Sequence, residues 1–448
     1  MTTVETTVEL TGPRRRVEEL PEFRTGDPLI GPTLAVRRDP LTSLVAPYRR
    51  FGRVFRMRLF GRWTVVIAGI DANEFAWRDS DAWNWGASGA VFREQFGPAY
   101  LTQLEGAAHT LKRKRLSPAF RTRALQRQIP DMSEVWVDAL DAANGSTVDL
   151  RAFCKRLVVQ MAGRALLHIE LPDGADDDIS ALEHDLLAGA ALGPLRRAWF
   201  RRPAYRARKR RFEAIVSEVV RARRADWTST DLLSTILQDW PNGAALPSVP
   251  ELVSDMVLLL QAGSESTAHQ ILWTLLLVAS RPDWAAELRA ELDGWTPEGA
   301  GNFATFPKLR ATVLESERLR PAIPYAFRIA ARELEFGDTI IPEGAAVLHA
   351  TTLPHFLDEI YDEPMSFRPE RFLGGADCPA RAHGTFGGGS HICLGQPLAR
   401  VQVPLAVAAV LKRADLRYTS PPSLRARLNG VVTPVERTIP ATIRTTRA

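Results

Sequence analysis

The most constraining segment of the chain runs from Ser248 to Ser280. It opens Ser-Val-Pro-Glu, continues through VLLLQAG and ILWTLLLVA with apolar residues on every helical face, and stops before Pro282. Ser248 and Glu251 form the spacing of a capping box, and the proline marks the stop. A helix of this span is about 48 Å long, enough to cross a large domain from side to side. Because it has no polar face to give to water, it must lie at the centre and be walled in by other elements. The expected fold is mainly α.

The middle of this helix breaks its own pattern with Ala262-Gly263-Ser264-Glu265-Ser266-Thr267. Glycine inside a helix costs about 1 kcal/mol relative to alanine. Helical spacing puts Leu259, Ala262 and Ser266 on one face. Taken alone, the segment reads as a polar break with Glu265 paired elsewhere.

A second segment, Phe386 to Arg400, reads FGGGSHICLGQPLAR and leads into an apolar, helix-like stretch. Glycines at 387, 388, 389 and 395 leave backbone N–H groups free to point at the Cys393 sulfur, and the positive end of the following helix adds to their effect. Such a cysteine is expected to stay ionised and to ligate a metal. Three other readings compete. A phosphate loop would need a GK[ST] or a spaced GxGxxG after a strand, and neither is present. Zinc held by Cys378, His383, His391 and Cys393 has no compact ligand pair to build on. An inert buried cysteine is where free cysteines usually go, and for a bare cysteine that reading would prevail.

The order Phe386, Gly387, Gly389, His391, Cys393, Gly395 resembles, position for position, the FGxGxHxCxG haem-binding signature of the cytochrome P450 family. The resemblance implies a haem b cofactor with Cys393 as axial thiolate. Residues 262–267 then resemble the family's [AG]-G-x-[DE]-T-[TS] element. There Gly263 leaves room for dioxygen, and Glu265 with an alcohol relays protons. Here the alcohol position holds Ser266, followed by Thr267, where the family generally has threonine. Serine keeps the hydroxyl and loses the methyl that helps fix its rotamer.

Further motifs follow in the family's order. Glu315 and Arg318 lie three apart in PKLRATVLESERLR, and Arg371 sits in FRPERF. The resemblance makes them an ExxR pair and a second arginine on one carboxylate, holding the core. His109 and Arg113, four apart on one helix, resemble the HxxxR element. With Arg328 and His391 they would hold the two haem propionates, and four cationic or polar donors suit two negative charges. The resemblance covers nearly the whole chain and implies one large helical domain, residues 25–448, with a small β-rich lobe that includes strands near Thr339 to Leu348. Residues 1–24 are expected to lack order.

Composition narrows the setting. The chain has 448 residues, 45% hydrophobic and 24% charged, as expected of a globular protein with a large core. Its longest uninterrupted apolar stretches fall well short of the ~18 residues of a membrane span, and no export signal opens the sequence, so it is expected to be cytoplasmic and soluble. Three cysteines, Cys154, Cys378 and Cys393, offer no disulfide framework. The net charge is +5, and the arginine runs at Lys112 to Arg115 and Arg196 to Arg211 carry no interleaved aromatics on a recognisable nucleic-acid module. An acidic electron-transfer protein is the better partner for them, and the solvated face of Lys112, Lys114 and Arg115 is the expected docking surface.

The resemblance implies a monooxygenase that inserts one oxygen atom from O2 into an apolar small molecule such as a terpenoid, steroid or polyketide-like metabolite. NADPH or NADH would act only indirectly, through a separate ferredoxin and its reductase. Trp83, Trp85, Phe92, Phe96, Leu259, Ala262, Ile323 and Val432 are the expected pocket lining, although aromatics of that loop serve equally well as core. Isomerisation, dehydration or oxidative coupling on the same fold, and non-catalytic haem binding or sensing, are the alternatives.

Overall fold

A computed structural model describes residues 14–24, 31–240, 245–296, 305–375 and 381–446. Cys378 lies outside them. The elements that position the site are helices α1 (Ala90–Phe96), α2 (Gly106–Leu116), α3 (Thr122–Ala142), α4 (Leu150–Leu167), α5 (Ala175–Ala191), α6 (Pro203–Ala225), α7 (Val249–Ala279), α8 (Pro307–Leu319) and α9 (Gln396–Arg413). The strands are β1 (Glu22–Phe23), β2 (Val54–Leu59), β3 (Arg62–Ala68), β4 (Ala326–Ile329) and β5 (Ala346–Ala350), followed by the hairpin of β6 (Ala426–Asn429) and β7 (Val431–Pro434).

Helix α7 is the expected central helix. Ser248 caps it by accepting the Glu251 N–H, and its apolar residues are buried on all sides against α4, α5, α6, α8 and α9. One large core cluster joins these helices to α3. The sheet, in the order β1-β2-β3-β5-β4, forms the smaller lobe, with β3 and β5 parallel and β4 antiparallel to β5. This register puts Arg328 opposite Val347.

The expected unstructured tail is corrected over its second half. Arg15 bridges Thr339, Val17–Glu19 forms a 3-10 turn, and β1 pairs with β2. Leu20 is buried in the core of the sheet lobe, so this segment has apolar area to hold it in place. Residues 1–13 lie outside the described part of the chain.

Candidate functional site

Phe386 to Gly395 leads directly into α9. The Cys393 N–H donates to the Phe386 carbonyl at 3.0 Å, closing the loop, and Gln396 N–H returns to the Cys393 carbonyl at 3.4 Å. Gly387 and Gly389 both have φ of +67°, a region that favours glycine. The glycines do different jobs. A Cβ on Gly388 or Gly389 would run into Trp77, whereas one on Gly387 would meet nothing. The N–H groups directed at the sulfur are those of Gly395 and Gln396. Burial pushes the Cys393 thiol up, by more than these two groups and the Arg113 charge pull it down. Those two N–H groups and the Arg113 charge favour the thiolate that a metal would take up, and the side chain is exposed to receive one. Cys154 is fully buried, and burial raises its thiol far above the usual range.

Three planar groups from distant segments join His391 of this loop. His391 lies between the Trp85 ring, 3.6 Å away and 5° from parallel, and the His109 ring, 3.7 Å away and 8° from parallel. The Arg328 guanidinium covers the far side of Trp85 at 4.2 Å. Trp85 is brought there because Asn84 N–H donates to the Ile329 carbonyl at the end of β4. Burial lowers His391 to about 3 and Arg328 to about 10, and His109 and Arg113 are also depressed by burial. His391 Nε2 and Arg328 Nε are buried without a hydrogen-bond partner. Two arginines and two imidazoles that crowd together with idle nitrogens and no acid among them form a receptor for a dianion.

Most of α7 is buried, but Leu259, Ala262, Gly263 and Ser266 are not. The spacing of three, four and seven makes them one stripe. A Cβ added at Gly263 would meet nothing within 4 Å. Ser266 Oγ donates to the Ala262 carbonyl at 3.0 Å. Glu265 points elsewhere. Its carboxylate takes the Ser180 hydroxyl of α5 and lies 3.3 Å from His269 Nδ1. Burial raises Glu265, but His269 and Ser180 more than offset it, so it stays below its usual range. Glu265 and Ser266 are thus not hydrogen-bonded to each other, and Thr267 is buried off the stripe. The sequence reading missed Ser180 altogether, and His269, four residues after Glu265, was the available signal.

Glu315 accepts both Arg318 Nε at 2.7 Å and Nη2 at 2.8 Å, with Arg371 Nε at 3.1 Å and the Arg368 N–H at 2.9 Å. Arg318 goes on to the carbonyls of His355 and Pro364 at 2.7 and 2.8 Å. Every charge is met inside the protein.

The structure moves Trp83, Val432 and Lys112 from their expected places. Trp83 is core: it is 1% exposed, donates to the Ala76 carbonyl and packs edge-on against Phe75. Val432 is also fully buried, its strand pinned by Trp273 and Ala322. Trp85 belongs to the cationic stack. Phe92 and Phe96 stack on Tyr100 at 5.8 and 5.0 Å. Ile323 is exposed. Lys112 is not on a solvated face; it is buried against Asp255 at 2.8 Å and Glu251 at 3.3 Å, and Arg115 lies over the Trp240 ring. No described helix is long and apolar enough to cross a membrane.

The residues present fit a haem. They offer a sulfur at a helix start, donors for two carboxylates, and an open glycine stripe on the helix that packs against α9. A model of the family described as Cytochrome P450 matches residues 21–439. The chain is 28% identical over 411 residues to cyclooctat-9-en-7-ol 5-monooxygenase of Streptomyces melanosporofaciens, covering 87% of this chain and 88% of that one. It is 25% identical over 422 residues to obtusifoliol 14-alpha demethylase of Triticum aestivum, covering 88% and 92%. Its fold superposes on a retinoic acid-bound cyanobacterial CYP120A1 with a TM-score of 0.82 at 24% identity, covering 95% of this chain and 99% of that one. The heme domain of cytochrome P450DA gives 0.83 at 19%, covering 97% and 99%. The chain is an oxidoreductase with a mainly helical fold, and it belongs to the cytochrome P450 family.

Proposed function

We propose that the chain inserts one oxygen atom from O2 into an apolar carbocyclic small molecule of the terpenoid or sterol class. The observation that carries this reading is the open stripe Leu259, Ala262, Gly263 and Ser266 on the central helix. It offers a small apolar surface with a single hydroxyl and no fixed charge. Two relatives are named for cyclooctat-9-en-7-ol and obtusifoliol, which favours this class over polyketides.

Haem bound through Cys393 supplies dioxygen activation, with the thiolate favouring O–O cleavage. His109, Arg113, Arg328 and His391 hold its two carboxylates. Ser266 stands on the stripe as the near proton donor. Glu265 is one step behind, held by Ser180 and His269, and passes protons to Ser266 through solvent or a side-chain turn. Glu315, Arg318 and Arg371 keep the scaffold behind the cysteine loop rigid.

Electrons come from a separate acidic ferredoxin and its reductase. Lys112 is taken up internally, so the docking cations are the exposed Lys114 and Arg400, the latter lying over the Phe386 ring of the cysteine loop. The test is incubation of the haem-loaded protein with a terpenoid and sterol panel, ferredoxin, reductase and NADPH under 18O2. A product carrying one labelled oxygen supports the reading. Consumption of electrons across the whole panel with no oxygenated product contradicts it.

A further inference from the structure

The segment 196–211 carries nine cations, and most are neutralised locally. Arg196 grips both oxygens of Glu94, Arg202 pairs with Asp185, Arg208 with Asp178 and Asp185, Lys209 with Glu213, and Arg211 with Asp178. Among the described residues, Arg197, Arg201, Arg206 and Arg210 have no acidic partner within ion-pair distance.

Three of those four surround one cavity. A hollow of about 320 Å³ between α1 and the start of α6 is lined by Arg197, Arg201 and Arg206, and Arg210 is not part of it. Phe200 and Tyr205 form its apolar wall, their rings 5.0 Å apart. Tyr205 donates to Gln95 Oε1 at 2.9 Å, and Lys209 donates to the Gln95 carbonyl. The Gln95 amide nitrogen makes no hydrogen bond among the described residues, so it remains available as a donor. The one carboxylate lining the cavity, Glu94, is already occupied by Arg196. Three guanidinium groups with forked donors match a phosphoryl group, whereas a single carboxylate would leave two of them unmet.

We propose that this cavity binds a phosphoryl group carrying two or more negative charges, either free in solution or at the head of a lipid. Bound there, it would tie α1 to α6 in place of an acidic side chain. The site is separate from the haem residues, and its occupancy can be read without turnover.

The haem-loaded protein is titrated calorimetrically with inorganic pyrophosphate at low salt, and floated with phosphatidylcholine vesicles with and without phosphatidic acid. The expected result is saturable pyrophosphate binding that weakens with salt, falls at least about tenfold in the Arg201→Gln/Arg206→Gln double variant, and is unchanged in Arg210→Gln. Flotation that needs phosphatidic acid and is lost in the same double variant identifies a lipid head group as the source. Pyrophosphate binding without flotation identifies a soluble phosphate. The absence of saturable binding to either probe overturns the proposal. So does an equal loss in Arg210→Gln, which would mean that net charge alone attracts the anion.

Discussion

His391 lies face to face on His109, with ring centroids 3.7 Å apart and planes 8° from parallel. Two imidazoles in this arrangement cannot both be charged without an anion to share. Burial disfavours the charged form of both rings, so the positive charge of the stack rests on Arg328, and the two imidazoles serve as N–H donors to arriving carboxylates. Replacing His391 with Ala should weaken haem retention by about tenfold or more, the cost of losing one hydrogen bond to a charged group. Transfer of haem to apomyoglobin measures it. An unchanged transfer rate would remove His391 from the propionate set.

Gly263 separates stability from function. Because an added methyl meets no neighbour, Gly263→Ala should stabilise the protein by up to about 1 kcal/mol through helix propensity. It should at the same time lower product formation, since the methyl enters the open stripe. Chemical denaturation and turnover, measured on the same preparation, test the two halves. A variant that is both more stable and fully active would show that the stripe does not face the reacting atoms.

Ser266→Ala should keep substrate binding and divert electrons to hydrogen peroxide. Its hydroxyl is held by the Ala262 carbonyl, a bond internal to the helix whose loss costs little stability. Product formed per electron consumed is the readout, and a ratio equal to that of the parent protein would assign the relay elsewhere.

Glu315→Ala leaves the buried Arg318 without its carboxylate and should cost about 3–5 kcal/mol. This cluster was legible through the resemblance of its motifs, because a Glu and an Arg three residues apart on one helix would by themselves read as a surface ion pair. The central helix was legible directly, since its apolar faces and cap are local facts. The stack of Trp85, His109, Arg328 and His391 was only half legible: three of its members matched motifs, but their face-to-face order depends on β4 bringing Asn84 and Trp85 alongside. Lys112 was misread because its acidic partners, Glu251 and Asp255, arrive on a different helix. Trp83 was misread because an aromatic in a loop gives no local sign of which side it faces.

The pH dependence of stability should follow buried histidines. His349, fully buried with Nε2 against Asn73 Oδ1 at 2.6 Å, is lowered to about 3 by burial first and the Arg328 charge second. The unfolded chain takes up this proton below about pH 6.5, and the folded chain does not until about pH 3. Stability is therefore fully present above about pH 6.5 and is lost as pH falls toward 3, at up to about 1.4 kcal/mol per pH unit for this group. In His349→Gln the slope of unfolding free energy against pH between 4 and 6 should be shallower by about that amount. An unchanged slope would mean that His349 already carries its proton in the folded protein.

The central claim is that the Cys393 sulfur is the axial ligand. The most direct measurement is the absorption spectrum of the reduced, haem-loaded protein with carbon monoxide, for the parent and for Cys393→His. The parent is expected to show the strongly red-shifted Soret band of a thiolate ligand, and the variant the shorter-wavelength band of a histidine ligand with haem retained. A parent protein that shows the shorter-wavelength band, or a variant that keeps the red-shifted one, would contradict the assignment.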